Sequence, residues 1–226
     1  MQDQCLMKWN WQQPDWPDFR WNGAALAALE PRFLQQSGVM IGVVRHLGEE
    51  DRTSVVLDVM TDEAIKTSQI EGELLNRDSV QVSLRREFGL ETEKRRVLPA
   101  ERGIAEMMID LYRGYADPLT EDVLSHWHRL VLSGRSDVET VGRYREHEDA
   151  MQVVSGVLHK PTVHFEAPPS SAMADEMARF LEWFAASGPA GTAPLPALTR
   201  SGLAHLYFVS VHPFEDGNGR IGRAIS

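Results

Sequence analysis

Apolar residues return at helical spacing along most of this chain. From Ala24 to about Leu47 they predict helix, with a break near Ser37-Gly38. A second helical stretch runs from about Asp51 to Ile70 and stops at Glu71-Gly72; a third, from Asp78 to Phe88, ends at Gly89. Ala100 to Tyr115 sets Ile104, Met107, Met108 and Leu111 on one stripe, which predicts an amphipathic helix. Asp117-Pro118 breaks it. Thr120 then caps a helix whose inward side is Val123, Leu124, Trp127 and Leu130. Beyond it the period changes. MQVVSG and TVHF are β-prone runs around a loop with Lys160-Pro161, so a hairpin is expected over about 151–166, ended by Pro168-Pro169. Ser170 opens a helix to about Ala186, with Met173, Met177, Phe180, Leu181 and Phe184 inside. Residues 187–197 form a connector, and Ala197 to Val211 is apolar enough to be central. The pattern is mainly α with one short hairpin.

Composition narrows the class. The 226 residues suit one domain with a helical appendage, or two small domains. A net charge of -10 argues against non-specific nucleic-acid binding, which depends on cations at phosphates. Cys5 is the single cysteine, so one chain can build neither a disulfide framework nor a cysteine zinc site, and a reducing cytoplasm is expected. The N-terminus lacks the basic and apolar regions of a signal peptide. GVMIGVV (38–44) is too short to span a bilayer, so no membrane partner is expected. Trp9, Trp11, Trp16 and Trp21 crowd the first 22 residues without a period. They read as an arm packed on the body, with a partner-docking surface as the alternative.

The chemistry concentrates in residues 212–224, HPFEDGNGRIGRA. Pro213 disfavours α geometry at His212 and should end the preceding helix there. A loop follows, and Arg220 to Ser226 has helical character. The order is helix, glycine turn, helix. Free N–H groups and the dipole at a helix start favour an anion. Gly217 and Gly219 let the backbone approach a ligand and take positive φ. Arg220 and Arg223, three apart, share a helix face near its start, where two cations oppose the dipole unless an anion neutralises them. A di- or triphosphate meets that need. Asp216 is an oxygen donor of the kind Mg²⁺ takes, and His212 can accept a proton near neutral pH. A plain glycine turn with solvated arginines is the simpler alternative.

The stretch resembles the Fic-domain signature, HxFx(D/E)GNGRxxR, at every fixed position. LTRSGLAHLYFVSVHPF and the segment from GRYR (142–145) through the hairpin also resemble the Fic core, and the Trp-rich start is similar to the extension of a bacterial Fic subgroup. The resemblance implies a Fic-type helical core with a β-hairpin flap and an N-terminal helical extension. It divides the chain into residues 1–95, carrying the arm and an inhibitory motif, and a catalytic core at 96–226 that reads as cut short after its motif. It implies a protein adenylyltransferase that moves AMP from ATP to a Ser, Thr or Tyr hydroxyl of a protein. His212 would be the general base and Phe214 an anchor of the loop. Asp216 would hold Mg²⁺ on the α- and β-phosphates. Gly217, Asn218 and Gly219 would form the anion cradle, Arg220 would contact the β-phosphate region, and Arg223 the γ-phosphate. The flap would dock a protein target, and self-modification is a further outcome. Removal of AMP, transfer of another nucleotidyl or phosphate group, or nucleotide sensing with little turnover are the alternatives.

Residues 67–73 read TSQIEGE. A carboxylate in a last helical turn has the wrong sign for the dipole unless a cation faces it. On physical grounds alone, a solvated Glu before a glycine cap suffices. Yet Thr67, Glu71 and Gly72 match the Fic inhibitory pattern (S/T)xxxE(G/N), which implies that Glu71 pairs with Arg223 and obstructs γ-phosphate placement. Other histidines read as structural. His126 and His128, two apart on a helix, face nearly opposite sides and make a poor metal pair. His147 has no HExxH partner. His205, seven before His212, shares the inward face of its helix.

Overall fold

The structure, a computed structural model of the chain, describes residues 9–90, 94–157 and 160–226. Cys5, and the redox reading built on it, lies outside the described residues. The helices are α1 (Gly23–Leu26), α2 (Leu29–His46), α3 (Glu49–Ile70), α4 (Arg77–Glu87), α5 (Pro99–Gly114), α6 (Glu121–Val131), α7 (Met173–Ala186), α8 (Ala197–Val211) and α9 (Asn218–Ala224). Strands β1 (Gln152–Val157) and β2 (Lys160–Glu166) pair antiparallel between α6 and α7, with a bulge at Val153/Val154. The fold is thus mainly α with a two-stranded hairpin, as the periodicity requires. Among the described residues no helix is long and apolar enough to cross a membrane.

Local chemistry accounts for most boundaries. The Thr120 hydroxyl accepts the Val123 N–H at the start of α6, and the Asn76 side chain accepts the Ser79 N–H at the start of α4. Pro99 opens α5, where a missing N–H does no harm, and Glu101 in its first turn accepts the Leu98 and Asn76 N–H groups. The break expected near Ser37-Gly38 is absent: α2 is continuous, and the interruption falls at Ala27-Ala28. Pro31 explains it. In an unbroken helix its ring would strike the Ala27 carbonyl, whereas in a first turn it is tolerated. Gly38 and Gly42 only weaken the helix, by roughly 1 kcal/mol each relative to Ala. Ser170–Ala172 forms a 3-10 turn before α7.

One hydrophobic cluster joins both parts of the chain. Leu57, Met60 and Ala64 of α3 and Leu84 of α4 meet Met107 of α5, Leu124 of α6, Phe180 of α7 and Phe208 of α8. The expected stripes face inward: Ile104, Met107 and Met108 are buried, as are Leu124 and Trp127. The Trp arm packs on the body. Trp16 sits edge-on to Tyr207 (5.1 Å) and donates to Glu176 (3.1 Å), Trp11 donates to the Glu166 carbonyl (2.6 Å), and Trp9 contacts Phe165. Trp21 stays exposed. α2 contributes a different service. Its Glu30 carboxylate accepts the Leu198 and Thr199 N–H groups, capping α8, which has no cap of its own.

Candidate active site

α8 ends at Val211, as Pro213 demands, but His212 is not extended. It takes the left-handed region (φ 51°), the only non-glycine among the described residues with positive φ. Such a conformation is strained in an L residue and persists only where its surroundings fix it. The loop that follows is tied down at each end. Phe214 is fully buried and stacks on the His128 ring with centroids 4.1 Å apart. The Asn218 side chain accepts the Phe214 N–H (3.0 Å) and donates to its carbonyl (2.8 Å). Both ends of that side chain clasp the loop, which leaves Asn218 only its backbone for an anion cradle.

The two glycines have separate reasons. Gly217 takes φ 78° and precedes α9, and a Cβ there would lie 3.2 Å from Val131. At Gly219 a Cβ would lie 2.1 Å from Oε1 of Glu71. The carboxylate of Glu71 therefore lies directly over the start of α9, which begins at Asn218 rather than the expected Arg220. α3 delivers it there by a Schellman ending: Gly72 turns left-handed (φ 79°), the Gly72 N–H returns to Gln69 and the Glu73 N–H to Ser68.

The last turn of α3 holds Arg223 at three points. Its Nε donates to the Thr67 hydroxyl (2.8 Å), and its Nη2 donates to the Thr67 carbonyl (3.0 Å) and to Glu71 Oε1 (2.6 Å). This cation also complements the negative end of the α3 dipole. The cation that the last-turn acid lacked in the sequence is supplied from 152 positions away. Thr67, Glu71 and Arg223 are thus brought together. Arg220 is held as well: Nη1 donates to Glu73 (2.6 Å) and to the Val131 carbonyl (3.3 Å), while its buried Nε has no partner. Burial lowers its proton affinity, and Glu73 opposes that shift.

His212 is half-buried, and burial is the main cause that lowers its pKa. The nearby Arg145 charge lowers it too. A hydrogen bond to the Val209 carbonyl and the charges of Asp216 and Glu71 act the other way without reversing the shift. The ring is therefore neutral near pH 7, with one nitrogen engaged by Val209 and the other able to accept a proton. Asp216 accepts the Gly217 N–H (2.5 Å), and its Oδ2 faces Arg135 at 3.1 Å. Glu215 is turned away and accepts the Glu139 and Thr140 N–H groups. No group of three or more metal-ligating side chains occurs among the described residues. Mg²⁺ commonly takes one or two carboxylates and completes its shell with phosphates and water, and Asp216 offers one carboxylate of that kind, now facing Arg135.

Four residues around the site escaped the sequence reading. Glu73 lay within the quoted TSQIEGE but was given no partner. Arg145 lay within GRYR, Arg135 in the turn after α6, and His128 was assigned to packing alone. His128 is indeed buried, but it also carries the loop: it bonds the Asp216 carbonyl (3.2 Å) through Nε2 and accepts the Gly142 N–H (2.8 Å) at Nδ1. Burial pushes its pKa down to about 4. His126 is exposed, and His205 is half-buried against Gly222.

Residues 118–226 match the Fic/DOC family, and residues 9–90 match a domain of unknown function (DUF4172); α5 falls between the two. A Fic family protein from Desulfovibrio desulfuricans has a similar structure, with a TM-score of 0.58 and 25% identity over 92% of this chain and 57% of that one. A Fic-domain-containing signaling protein from Bacteroides thetaiotaomicron follows at 0.59 and 22%, over 84% and 70%. Fic-1 from C. elegans gives 0.54 and 21%, over 90% and 57%. This chain thus spans little more than half the length of two of these relatives. No curated protein matches it. With the signature at 212–223 folded as a turn between two helices, residues 118–226 of this chain form a Fic/DOC family domain.

Proposed function

We propose that this chain is an autoinhibited protein adenylyltransferase that transfers AMP from ATP to a protein hydroxyl. The observation that carries the autoinhibition is the three-point hold of Thr67 and Glu71 on Arg223, the second arginine of the motif. In the transfer, neutral His212 takes the proton of the target hydroxyl while that oxygen attacks the α-phosphorus. The new P–O bond forms as the bond to pyrophosphate breaks. Catalysis of this kind rests on placement and on charge stabilisation. Gly219 leaves room for an anion against the backbone, a place the Glu71 carboxylate now takes, and Arg220 and Arg223 offer the cations. Asp216 would hold Mg²⁺, which when bound would neutralise charge between the α- and β-phosphates. The exposed hairpin offers a strand edge to an extended target segment.

Glu71 and the γ-phosphate compete for one guanidinium. While Glu71 keeps Arg223, ATP lacks its γ-contact and its α-phosphate does not settle on the line of attack. Glu71→Gly tests this. The released pair is a charge-assisted hydrogen bond, worth on the order of 1.5–3 kcal/mol, so transfer should rise roughly 10- to 100-fold. Intact-mass analysis after incubation with Mg·ATP reads the gain as added AMP on a target or on the chain itself. A folded variant that binds Mg·ATP and shows no gain contradicts the reading. Arg223→Ala should not mimic it, since it removes the inhibitory and the nucleotide contacts together. A second reading has one observation in its favour: Glu71 lies close enough to influence His212. It could orient a water for AMP removal, and loss of AMP from a pre-modified protein would reveal that direction.

A further inference from the structure

Arg145 is 1% exposed, and no carboxylate pairs with it among the described residues. A buried cation without a counter-ion is unfavourable unless its donors are all used. Here they reach in two directions. Toward the motif, Nε donates to the His212 carbonyl (2.8 Å), Nη2 approaches the Val211 carbonyl (3.5 Å), and the backbone N–H of Arg145 donates to the Pro213 carbonyl (2.9 Å). Three consecutive carbonyls centred on the strained His212 are thus taken by one residue. Toward the hairpin, Nη1 donates to the Ser170 hydroxyl (2.9 Å) and Nη2 to the Pro168 carbonyl. That segment leaves β2 immediately after the hairpin root, which the Ala167 N–H closes by donating to Met151 (2.9 Å).

We propose that Arg145 is a positioning residue that locks the left-handed His212 to the root of the β1–β2 hairpin, so that one guanidinium places both the base and the surface on which a hydroxyl is presented. The inference rests on the reading of His212 as the base. Geometry sets the residue type. A planar fork with five donors can serve two sides at once, whereas a lysine ammonium is a point charge on a flexible stem. A neutral side chain would leave the carbonyls unmatched. Arg145 also acts on His212 as a charge. Asp216 from its own loop and Glu71 from α3 favour the protonated ring, and Arg145 and burial favour the neutral one. Arg145 thereby sets the backbone of the base and helps to keep it unprotonated.

The test separates charge from geometry. His212 is followed by NMR in the nucleotide- and metal-free chain, as parent, Arg145→Met, Arg145→Lys and Ser170→Ala. Arg145→Met removes the charge and should raise the His212 titration midpoint. Arg145→Lys keeps the charge and should leave the midpoint near the parent's. Ser170→Ala touches only the hairpin side of the guanidinium, yet should shift the His212 resonances. In the Glu71→Gly background, self-modification from labelled ATP should fall about 100-fold in Arg145→Lys, the scale of a misplacement near 1 Å. Its affinity for ATP should stay within about threefold of the parent's, because Arg220 and Arg223 carry the phosphates. An Arg145→Lys variant that transfers at the undiminished rate overturns the proposal. So does a folded Arg145→Met with an unmoved His212, or a Ser170→Ala whose His212 resonances match the parent's. Should both Arg145 variants fail to fold, Ser170→Ala decides alone. If no form transfers AMP but the resonances shift as stated, the transferase reading fails and the lock stands.

Discussion

The two sides of the motif are held by different chemistry. On the arginine side, Arg223 and Arg220 are gripped by carboxylates, Glu71 and Glu73, that enter from α3 and its exit. On the histidine side, His212 itself is seated by Arg145 through its carbonyl, and the loop by Asn218 and His128 through carbonyls and N–H groups, while the loop's own acids, Glu215 and Asp216, turn to backbone N–H groups and Arg135. An incoming polyphosphate can replace a carboxylate at a guanidinium, since both are anions that accept the same donors. It has nothing to offer the bonds that seat His212. The arginine side is therefore built to be exchanged, and the histidine side to stay as it is. Under the proposed function, inhibition on the exchangeable side could be lifted without disturbing His212.

The largest expected effect breaks the fixed side at its functional end. His212→Ala in the Glu71→Gly background should reduce transfer by roughly 10²–10⁴, the usual cost of losing a general base. Its affinity for Mg·ATP, read by calorimetry, should remain, because the ring acts on the hydroxyl and not on the phosphates. Transfer at the undiminished rate would remove His212 from the role of base.

A second effect concerns pH. His128 titrates near 6.5 when unfolded and about 4 when folded, and the His212 pKa is lowered in the same direction. Between these values the unfolded chain binds more protons, so stability rises with pH across the window. It is fully present above about 6.5 and lost as the pH falls toward 4. A melting curve at about pH 5 should fall below one at about pH 7.5 by several degrees, given roughly 2–4 °C per kcal/mol for a chain of this size. Equal midpoints would mean that neither ring must stay neutral for the loop to fold.

The smallest effect sharpens the exchangeable side. Glu73→Gln keeps the shape and removes the charge facing Arg220. Added to Glu71→Gly, it should raise transfer by a further factor of about 3–10, since a neutral hydrogen bond replaces a charged one. No added gain in a single-turnover assay would show that Arg220 needs no release.

Much of this site was legible because its parts are close in sequence. The spacing of His212, Asp216, Gly217, Gly219, Arg220 and Arg223 fixes a helix, turn, helix geometry by local rules alone. Thr67 and Glu71 lie one turn apart and so share a face. The hairpin announced itself by its change of period, though not its bulge. What was missed depends on distant pairing. Nothing in GRYR tells that the Arg145 side chain will meet a carbonyl 67 positions away. Glu73 acquires its partner only because the Schellman turn at Gly72 redirects the chain. The interruption near Ala27 has a local cause, Pro31, whereas Gly38 is tolerated inside α2. The left-handed His212 was also out of reach, because Pro213 by itself favours an extended neighbour.

Competition between Glu71 and the γ-phosphate for Arg223 is the central claim, and it can be read without any turnover. The affinities of Mg·ATP and Mg·ADP are measured by calorimetry for the parent, Glu71→Gly and Glu71→Gly/Arg223→Ala. In the parent the guanidinium is occupied, so ATP and ADP should bind with nearly equal affinity. In Glu71→Gly, ATP should gain a preference of about tenfold, about 1.4 kcal/mol, and the added Arg223→Ala should abolish it. An ATP preference that is the same in the parent and in Glu71→Gly would contradict the account.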